Sequence, residues 1–246
     1  MVMMTKTFIS FGGPTENYHN SVKRISEEAH KLNFFDNIHC FTEIDLKNDT
    51  EFWSKHGDFI ESNVRGYGYW LWKSYLIKQQ LDKMDENDIL VYADAGCQIN
   101  CNGMDRLNQY IELLQKNETN YGILTFQTIF QECQYTKRKI FDFFDCNNES
   151  SKNSIQTNAT VIIMRKNKHS IKAINEWHDV CSNHYELIND DICDEFDSFI
   201  DNRHDQSIWS MIIKKYDAIK LTDETWFYNN WEVDGANFPF WARRIR

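Results

Sequence analysis

Apolar and polar residues follow two periods along this chain, one typical of amphipathic helices and one of buried strands. Residues 17–32 carry apolar residues at the three-to-four-residue spacing of one helix face. Residues 88–92 read Asp-Ile-Leu-Val-Tyr, a nearly continuous apolar run that suits a strand buried on both faces. Strands are predicted over residues 7–11, 38–41, 88–92, 121–126, 159–164 and 218–221. Helices are predicted over residues 17–32, 50–60, 69–84, 105–114, 171–181 and 206–215.

Strands that alternate with helices predict an α/β fold, with a mostly parallel central sheet flanked by helices. The length of 246 residues is that of one large domain or two small ones. No internal repeat and no linker rich in Pro, Gly or Ser interrupts the pattern. The acidic stretch 190–201 is expected on a solvated loop or helix face, with a recognition surface as the alternative.

Charge and composition exclude several classes of protein. There are 27 Lys and Arg against 37 Asp and Glu, a formal charge of −10, which argues against a nucleic-acid partner and a polybasic membrane anchor. No run of 18 apolar residues predicts a membrane span. The apolar run 1–11 resembles a first strand more than a signal peptide. The 7 scattered cysteines favour free thiols in a reducing cytoplasm.

Asp94 directly follows the predicted buried strand 88–92, in the sequence Tyr-Ala-Asp-Ala-Gly-Cys over residues 92–97. Ligands of α/β sheets bind at the carboxyl ends of strands, and a carboxylate there suits a divalent cation that holds phosphate oxygens. The alternative is a turn cap, since Asp is favoured in tight turns. The fragment alone does not decide between the two.

Two further segments combine charge with turn residues. Residues 202–207 read Asn-Arg-His-Asp-Gln-Ser ahead of an amphipathic helix, where Asp205 is either a helix cap or, with His204, a general base. Residues 65–73 read Arg-Gly-Tyr-Gly-Tyr-Trp-Leu-Trp-Lys, in which two glycines permit close approach to a ligand. The alternative for its aromatic residues, Trp70 above all, is packing in the core.

Taken together, these segments and the strand end Ser-Phe-Gly-Gly over residues 10–13 resemble a known family. The chain is similar to the small glycosyltransferases of GT-A type found in bacteria and large DNA viruses, among them the sugar transferases of algal viruses. The resemblance covers nearly the whole chain, and the blocks 65–73 and 92–97 are its specific motifs. It implies a single GT-A-like domain over residues 1–246, with the nucleotide-sugar part up to about residue 100. The remainder would form the acceptor side and a C-terminal closing segment, 241–246, whose alternative is a solvated end.

The resemblance also implies roles for individual residues. Asp205 and His204 would be catalytic, contacting the donor sugar or acting as base toward the acceptor hydroxyl. Asp94 would hold Mn²⁺ or Mg²⁺, although the second Asp of the Asp-x-Asp motif is Gly96 here. The implied donor-binding residues are Phe11, Gly12, Gly13, Arg65, Tyr69, Trp70, Lys73, Tyr92, Asp94, Ala95, Gly96, Asn158 and Gln206.

The activity that the resemblance implies is transfer of a sugar from a nucleotide-diphosphate sugar to a glycan acceptor. That acceptor would be a surface polysaccharide, a lipid-linked oligosaccharide or a glycoprotein glycan. The anomeric outcome stays open, with inversion slightly favoured over retention. The alternatives are an inactive nucleotide-sugar or glycan-binding module and a nucleotidyltransferase. The latter is disfavoured because no basic residue follows the glycines at 12 and 13 before Lys23.

Overall fold

A computed structural model describes residues 4–116 and 118–246 of the chain. Residues 1–3 of the apolar run 1–11 lie outside the described residues, as does Asn117. The strands are β1 (Lys6–Phe11), β2 (Asn37–Phe41), β3 (Ile89–Ala93), β4 (Gln98–Ile99), β5 (Ile123–Gln131), β6 (Ile155–Thr157), β7 (Val161–Arg165), β8 (Ile219–Thr222) and β9 (Phe240–Trp241).

The helices include every segment that the periodicity predicts, together with several of four to six residues that it does not. They are α1 (Glu16–Leu32), α2 (Glu43–Asn48), α3 (Thr50–Ser62), α4 (Gly66–Tyr69), α5 (Leu71–Lys83), α6 (Met104–Lys116), α7 (Glu132–Tyr135), α8 (Arg138–Phe143), α9 (Glu149–Lys152), α10 (Lys168–Asn183), α11 (Tyr185–Ile188) and α12 (Asp205–Tyr216). A short 3₁₀ helix covers Cys101–Gly103.

The central sheet has seven strands in the order β2-β1-β3-β7-β5-β6, with β8 paired to β5. The pairs β1–β2, β1–β3 and β5–β8 are parallel, whereas β7 is antiparallel to both β3 and β5. Since β6 is also antiparallel to β5, all strands of this sheet except β6 and β7 point the same way. The predicted class, α/β with a mostly parallel sheet flanked by helices, is therefore confirmed.

Helices cover both faces of the sheet, so the residues of the central strand β3 are buried on both sides. All five of its residues are buried, with Leu90 and Tyr92 in one apolar cluster and Ile89, Val91 and Ala93 in the other. Helices α5, α10 and α12 pack on the first face, and α1 and α6 on the second. Burying each large aliphatic side chain stabilises the fold by about 1.5–3 kcal/mol, which holds the end of β3 in a fixed place.

Two features of the outer parts of the chain bear on the predictions. Residues 190–201 contain no helix or strand and are mostly exposed, as expected of a solvated loop; we call this segment the acidic loop. Across the part of the chain that the structure covers, no helix is both long and apolar enough to cross a membrane.

Candidate functional site

Three charged residues from separate elements meet at the carboxyl end of β3. Asp94 directly follows the strand, Lys73 lies in α5, and Asp205 is the first residue of α12. The ammonium nitrogen of Lys73 lies 3.2 Å from Oδ1 of Asp94 and 3.0 Å from Oδ2 of Asp205. We call these residues the lysine–carboxylate cluster. The sequence analysis assigned all three to the site, and the structure brings them together.

The turn after β3 fixes the direction of Asp94. Its amide donates to the carbonyl of Thr160 (2.9 Å), and its own carbonyl accepts from the amide of Cys97 (2.8 Å). The hydroxyl of Tyr92, on the same strand, donates to Oδ1 of Asp94 (2.6 Å). Tyr92 therefore orients the carboxylate of Asp94. The resemblance placed Tyr92 among the donor-binding residues without assigning it this role.

The cluster is buried at one end and open at the other. The side chains of Lys73 and Asp205 are 4% and 5% exposed, whereas that of Asp94 is 33% exposed. Burial raises the pKa of Asp205 to about 6, against the opposing effect of the Lys73 ammonium. Burial alone would lower the pKa of Lys73, but the carboxylates of Asp205 and Asp94 outweigh it and raise that pKa. At neutral pH the Lys73 ammonium is therefore protonated, and Asp205 is mostly ionised.

Lys73 also holds the loop after β6. Its ammonium donates to the carbonyl of Ala159 (3.3 Å), and the amide of Ala159 donates to Oε1 of Gln206 (3.1 Å). Nε2 of Gln206 in turn donates to Oε1 of Gln156 (2.8 Å). The side chain of Asn158, one residue earlier, bonds the carboxylate of Asp223. Gln206 and Asn158, both predicted in the donor site, thus lie beside the cluster.

A buried network behind Gln156 had no signal in the sequence analysis. Gln156 donates through Nε2 to Oε2 of the fully buried Glu132 (3.4 Å) and to the hydroxyl of Thr136 (3.1 Å). Glu132 also accepts from Ser210 and from Nζ of Lys214 (2.7 Å). Because a carboxylate only accepts, Glu132 orients the amide of Gln156 and, through it, that of Gln206.

Residues 66–70 form a left-handed turn. The φ angles of Gly66, Tyr67, Gly68, Tyr69 and Trp70 are 60°, 52°, 80°, 53° and 60°. Each non-glycine residue in this region costs about 1–2 kcal/mol, so contacts on both sides must hold the turn. A Cβ on Gly66 would lie 2.4 Å from the ring of Trp70, so that position requires glycine for packing as well as for conformation.

His204 lies against this turn rather than in the lysine–carboxylate cluster. Its ring stacks on Tyr69 at 5.0 Å between centroids and lies 5.3 Å from Trp70. Its Nδ1 donates to the carbonyl of Ile188 (2.6 Å), and burial lowers its pKa. A neutral, packed imidazole is suited to positioning α12, and the catalytic role predicted for His204 stays a prediction.

Arg65 precedes the turn and closes the acidic loop. Its terminal nitrogens lie 2.7 Å from Asp190 and 2.8 Å from Asp201, at the two ends of that loop. The donor-facing role predicted for Arg65 stays a prediction, since both of these nitrogens already have carboxylate partners.

Phe11 is the last residue of β1, and Gly12 and Gly13 follow it as predicted, at the same edge of the sheet. The ring of Phe11 stacks on Trp72 at 3.9 Å. A Cβ on Gly12 would lie 2.3 Å from the carbonyl of Tyr18, and one on Gly13 would lie 2.2 Å from Glu43. Packing against the main chain thus requires glycine at position 12, whereas at Gly13 the closest atom is the movable carboxylate of Glu43. The contact of both glycines with a nucleotide stays a prediction.

Gly96 lies under the C-terminal segment. A Cβ at this position would lie 3.2 Å from Cα of Arg244, and the amide of Ile245 donates to the carbonyl of Gly96 (3.0 Å). Arg24 binds the same turn, donating to the carbonyls of Ala95 (2.7 Å) and Cys97 (2.9 Å). At the position where the Asp-x-Asp motif has its second acid, this chain has Gly96 in close contact with the main chain of Arg244. The Arg24 guanidinium binds the carbonyls on either side of it.

Asp94 is the residue that the resemblance assigns to a divalent cation. Its Oδ1 already faces the Tyr92 hydroxyl and the Lys73 ammonium. Within residues 4–116 and 118–246, no three His, Cys, Asp or Glu side chains are grouped to hold a metal. The side chains in this arrangement therefore do not fit a divalent cation, and metal dependence stays a prediction.

One comparison with known proteins bears on the fold. No family model matches the chain, and no curated protein does. Among solved structures, it is similar to a glycosyltransferase involved in the glycosylation of the major capsid of PBCV-1, with a TM-score of 0.52 and 11% identity over 96% of this chain and 91% of that one. This likeness shows that the chain shares its fold with that glycosyltransferase, as the resemblance in sequence implies.

Two other solved structures are less similar. Mouse xyloside xylosyltransferase 1 has a TM-score of 0.45 and 11% identity, over 93% of this chain and 89% of that one. A mannose-6-phosphate isomerase from Helicobacter pylori has a TM-score of 0.38 and 12% identity, over 74% of this chain and 80% of that one. Neither likeness is strong enough to bear on the fold.

Proposed function

We propose that this protein is a glycosyltransferase that moves a hexosyl or deoxyhexosyl group from a nucleotide-diphosphate sugar to a glycan acceptor. The observation that carries the proposal is the lysine–carboxylate cluster, located where a strand of a glycosyltransferase fold ends. Ligands of α/β sheets bind at this edge, and buried charges that converge there mark a functional site.

In the proposed site, the donor lies against the open end of the cluster. Asp94 is the partly exposed member, so its carboxylate is the one that meets the hydroxyls of the donor. The C-terminal segment brings Arg244 next to Gly96, with its guanidinium exposed and stacked on Trp226 at 5.5 Å. A guanidinium at this point suits the donor diphosphate.

The proposed reaction is a displacement at the anomeric carbon. The acceptor oxygen forms a bond to that carbon, the bond to the diphosphate oxygen breaks, and the nucleoside diphosphate leaves with the electron pair. The acceptor proton goes to a carboxylate, for which Asp205 is the proposed base in an inverting mechanism. Gln206, fixed by Ala159 and Gln156, is placed to orient the donor sugar.

The proposed setting is a reducing one. All seven cysteines lie in the described part of the chain and are free. Free thiols are typical of the cytoplasm, including that of a host cell for a viral protein. There the acceptor would be a growing surface polysaccharide, a lipid-linked oligosaccharide or a glycoprotein glycan.

A thermal-shift screen tests the donor half of the proposal. The purified protein is heated with UDP-, GDP-, dTDP- and CMP-sugars, each with manganese and with EDTA. Binding at 100 times the dissociation constant stabilises the fold by about 2.7 kcal/mol, a rise in melting temperature of roughly 5–11 °C. A rise for one donor class supports the proposal, and no rise for any class contradicts it.

A product assay with the selected donor tests transfer itself. Release of the nucleoside diphosphate that increases with added oligosaccharide supports a transferase. Donor binding without release identifies the inactive binding module instead. The anomeric configuration of the product, read by proton NMR, decides between inversion and retention.

A further inference from the structure

The candidate site contains a buried cation, the Lys73 ammonium, which lies between the carboxylates of Asp94 and Asp205. We propose that the Lys73 ammonium holds the position between Asp94 and Asp205 that a divalent cation would take, so that donor binding and transfer need no metal. This inference rests on the proposed function, because it concerns the charge balance of the same site.

The contacts of the ammonium group support this assignment. The ammonium nitrogen of Lys73 lies 3.2 Å from Oδ1 of Asp94 and 3.0 Å from Oδ2 of Asp205, and it donates a hydrogen bond to the carbonyl of Ala159 (3.3 Å). Mg²⁺ requires close to six oxygen ligands at about 2.0–2.1 Å. A cation bound to the same two carboxylates would lie against the ammonium, and the two positive charges would repel each other.

Lys73 is also held in place along its length. It lies in α5 between the buried residues Trp72 and Ser74, and its ammonium is 5.4 Å from the centre of the Tyr92 ring. Moving it out would leave Asp205 buried without its cation. An uncompensated buried charge is costly, so the ammonium is a fixed part of the site.

The turn that follows Asp94 supplies a second, independent observation. At Gly96, where a second acid would complete a metal site, the main chain of Arg244 is too close for a carboxylate side chain to fit without displacement. Arg24 binds the carbonyls on either side of this position. The turn after Asp94 therefore has close main-chain contact and the Arg24 guanidinium, itself paired with Glu28 (2.8 Å), where a second carboxylate ligand would be needed.

Lys73 acts in this account as a positioning residue. Its ammonium is buried between the two carboxylates, so it acts by holding Asp94 and Asp205 together and by balancing their charge. Removing the ammonium while keeping both carboxylates should then create a place for a divalent cation. That gain of metal binding is a result that a merely structural lysine would not give.

The experiment measures binding of Mn²⁺ alone by electron paramagnetic resonance, with wild type, Lys73→Met and Lys73→Met/Asp94→Asn. Wild type is expected to bind none at the site and to bind donor equally well in EDTA. Lys73→Met should bind about one Mn²⁺, with a rise in melting temperature, and the double variant should lose it. Lys78→Met, on an exposed part of the same helix, is the matched control and should behave as wild type.

Three results would overturn the inference. One is Mn²⁺ bound to wild type and lost in Asp94→Asn, and another is donor binding that EDTA abolishes and manganese restores. The third is a folded Lys73→Met that binds no Mn²⁺. If Lys73→Met does not fold, Lys73→Arg keeps the charge and should retain EDTA-resistant donor binding; EDTA-sensitive binding contradicts the inference. Failure of every donor to bind would contradict the proposed function instead. The Mn²⁺ titration would still show whether the Lys73 ammonium takes the place of a divalent cation.

Discussion

Lys73 and Lys137 are both buried, with 3% and 0% of their surfaces exposed, but their ammonium groups have different partners. Lys73 meets two carboxylates and one carbonyl. Lys137 meets the carbonyls of Glu186, Asn189 and Asp191 at 2.8, 2.9 and 3.2 Å, together with the side-chain oxygen of Asn189 at 2.9 Å. One lysine balances charge at the proposed site, and the other joins α11 to the start of the acidic loop.

The difference shows in their pKa values. Burial lowers the pKa of Lys137 to about 8, because neutral carbonyls compensate the lost hydration only in part. The carboxylates around Lys73 reverse the effect of burial and raise its pKa. Burial of a lysine therefore does not by itself mark a functional site; its partners do. The convergence of two acids on one ammonium is what distinguishes the region of Lys73.

The largest expected effect is on turnover. Asp94→Asn and Asp205→Asn keep the shape of each side chain and remove its charge, so each should lower the transfer rate by roughly 10²–10⁴-fold. Circular dichroism and the melting curve check that the fold remains. Asp58→Asn, on the exposed face of α3, is the control and should retain the wild-type rate. Near-normal turnover in both site variants would contradict the assignment of the cluster.

The second largest expected effect is a difference in stability between variants of the two lysines. Lys73→Met leaves the buried carboxylate of Asp205 without a counter-charge and should lower the free energy of unfolding by about 3–5 kcal/mol. Lys137→Met leaves only neutral acceptors unpaired and should cost about 1–3 kcal/mol. Urea unfolding at pH 7.5 measures both. An equal or larger loss of stability in Lys137→Met would mean that the carboxylate partners of Lys73 do not make it the more important lysine for stability.

The contributions of the two lysines to stability should also differ in their dependence on pH. The pKa of Lys137 is about 8 in the fold and 10.5 ordinarily, so between these values the unfolded state binds the extra proton. The free energy of unfolding then rises with pH there, by at most about 1.4 kcal/mol per pH unit. The raised pKa of Lys73 keeps its contribution constant until pH exceeds its ordinary value of 10.5.

Urea unfolding of wild type and both variants at pH 8, 9 and 10 checks this contrast. The difference between wild type and Lys137→Met should change in favour of wild type as pH rises. The difference between wild type and Lys73→Met should stay level over the same range. If the difference in free energy of unfolding from wild type does not change with pH for either variant, Lys137 does not titrate in this range.

The smallest expected effect belongs to Arg65, which joins the ends of the acidic loop at the surface. Its side chain is 44% exposed, and exposed ion pairs contribute about 0–1 kcal/mol. Arg65→Gln should therefore lower stability by no more than about 1 kcal/mol, and 0.5 M salt should reduce that difference. A loss as large as that of Lys137→Met would show that the loop closure matters more than its exposure suggests.

Periodicity predicted the longer elements because each has one face in the core. Helix α1 and strand β3 were found within one residue of their predicted bounds. The start of α5 was predicted two residues early, since the aromatic residues of the left-handed turn continue a helical pattern that their backbone does not follow. The direction of β7 could not be read from its sequence, because a fully buried strand looks the same in either direction.

The site was predictable only where a motif marks it. Asp94, Lys73 and Asp205 come from the three recognised segments, more than a hundred positions apart at the extremes. Glu132 and Lys137 carry no motif, and their importance comes from partners that only the folded chain brings near. His204 was grouped with Asp205 because the two are neighbours in sequence. In the structure the His204 ring packs against Tyr69 of the left-handed turn and not against the lysine–carboxylate cluster.

The most direct test of the account is a calorimetric titration of the nucleotide-sugar found in the screen into wild type and Asp94→Asn, both in EDTA. We expect wild type to bind the donor at one site and Asp94→Asn to bind it at least about tenfold more weakly, a loss of about 1.4 kcal/mol or more, with the fold retained by circular dichroism. Equal affinity in the two proteins would contradict the claim that the donor lies at the lysine–carboxylate cluster.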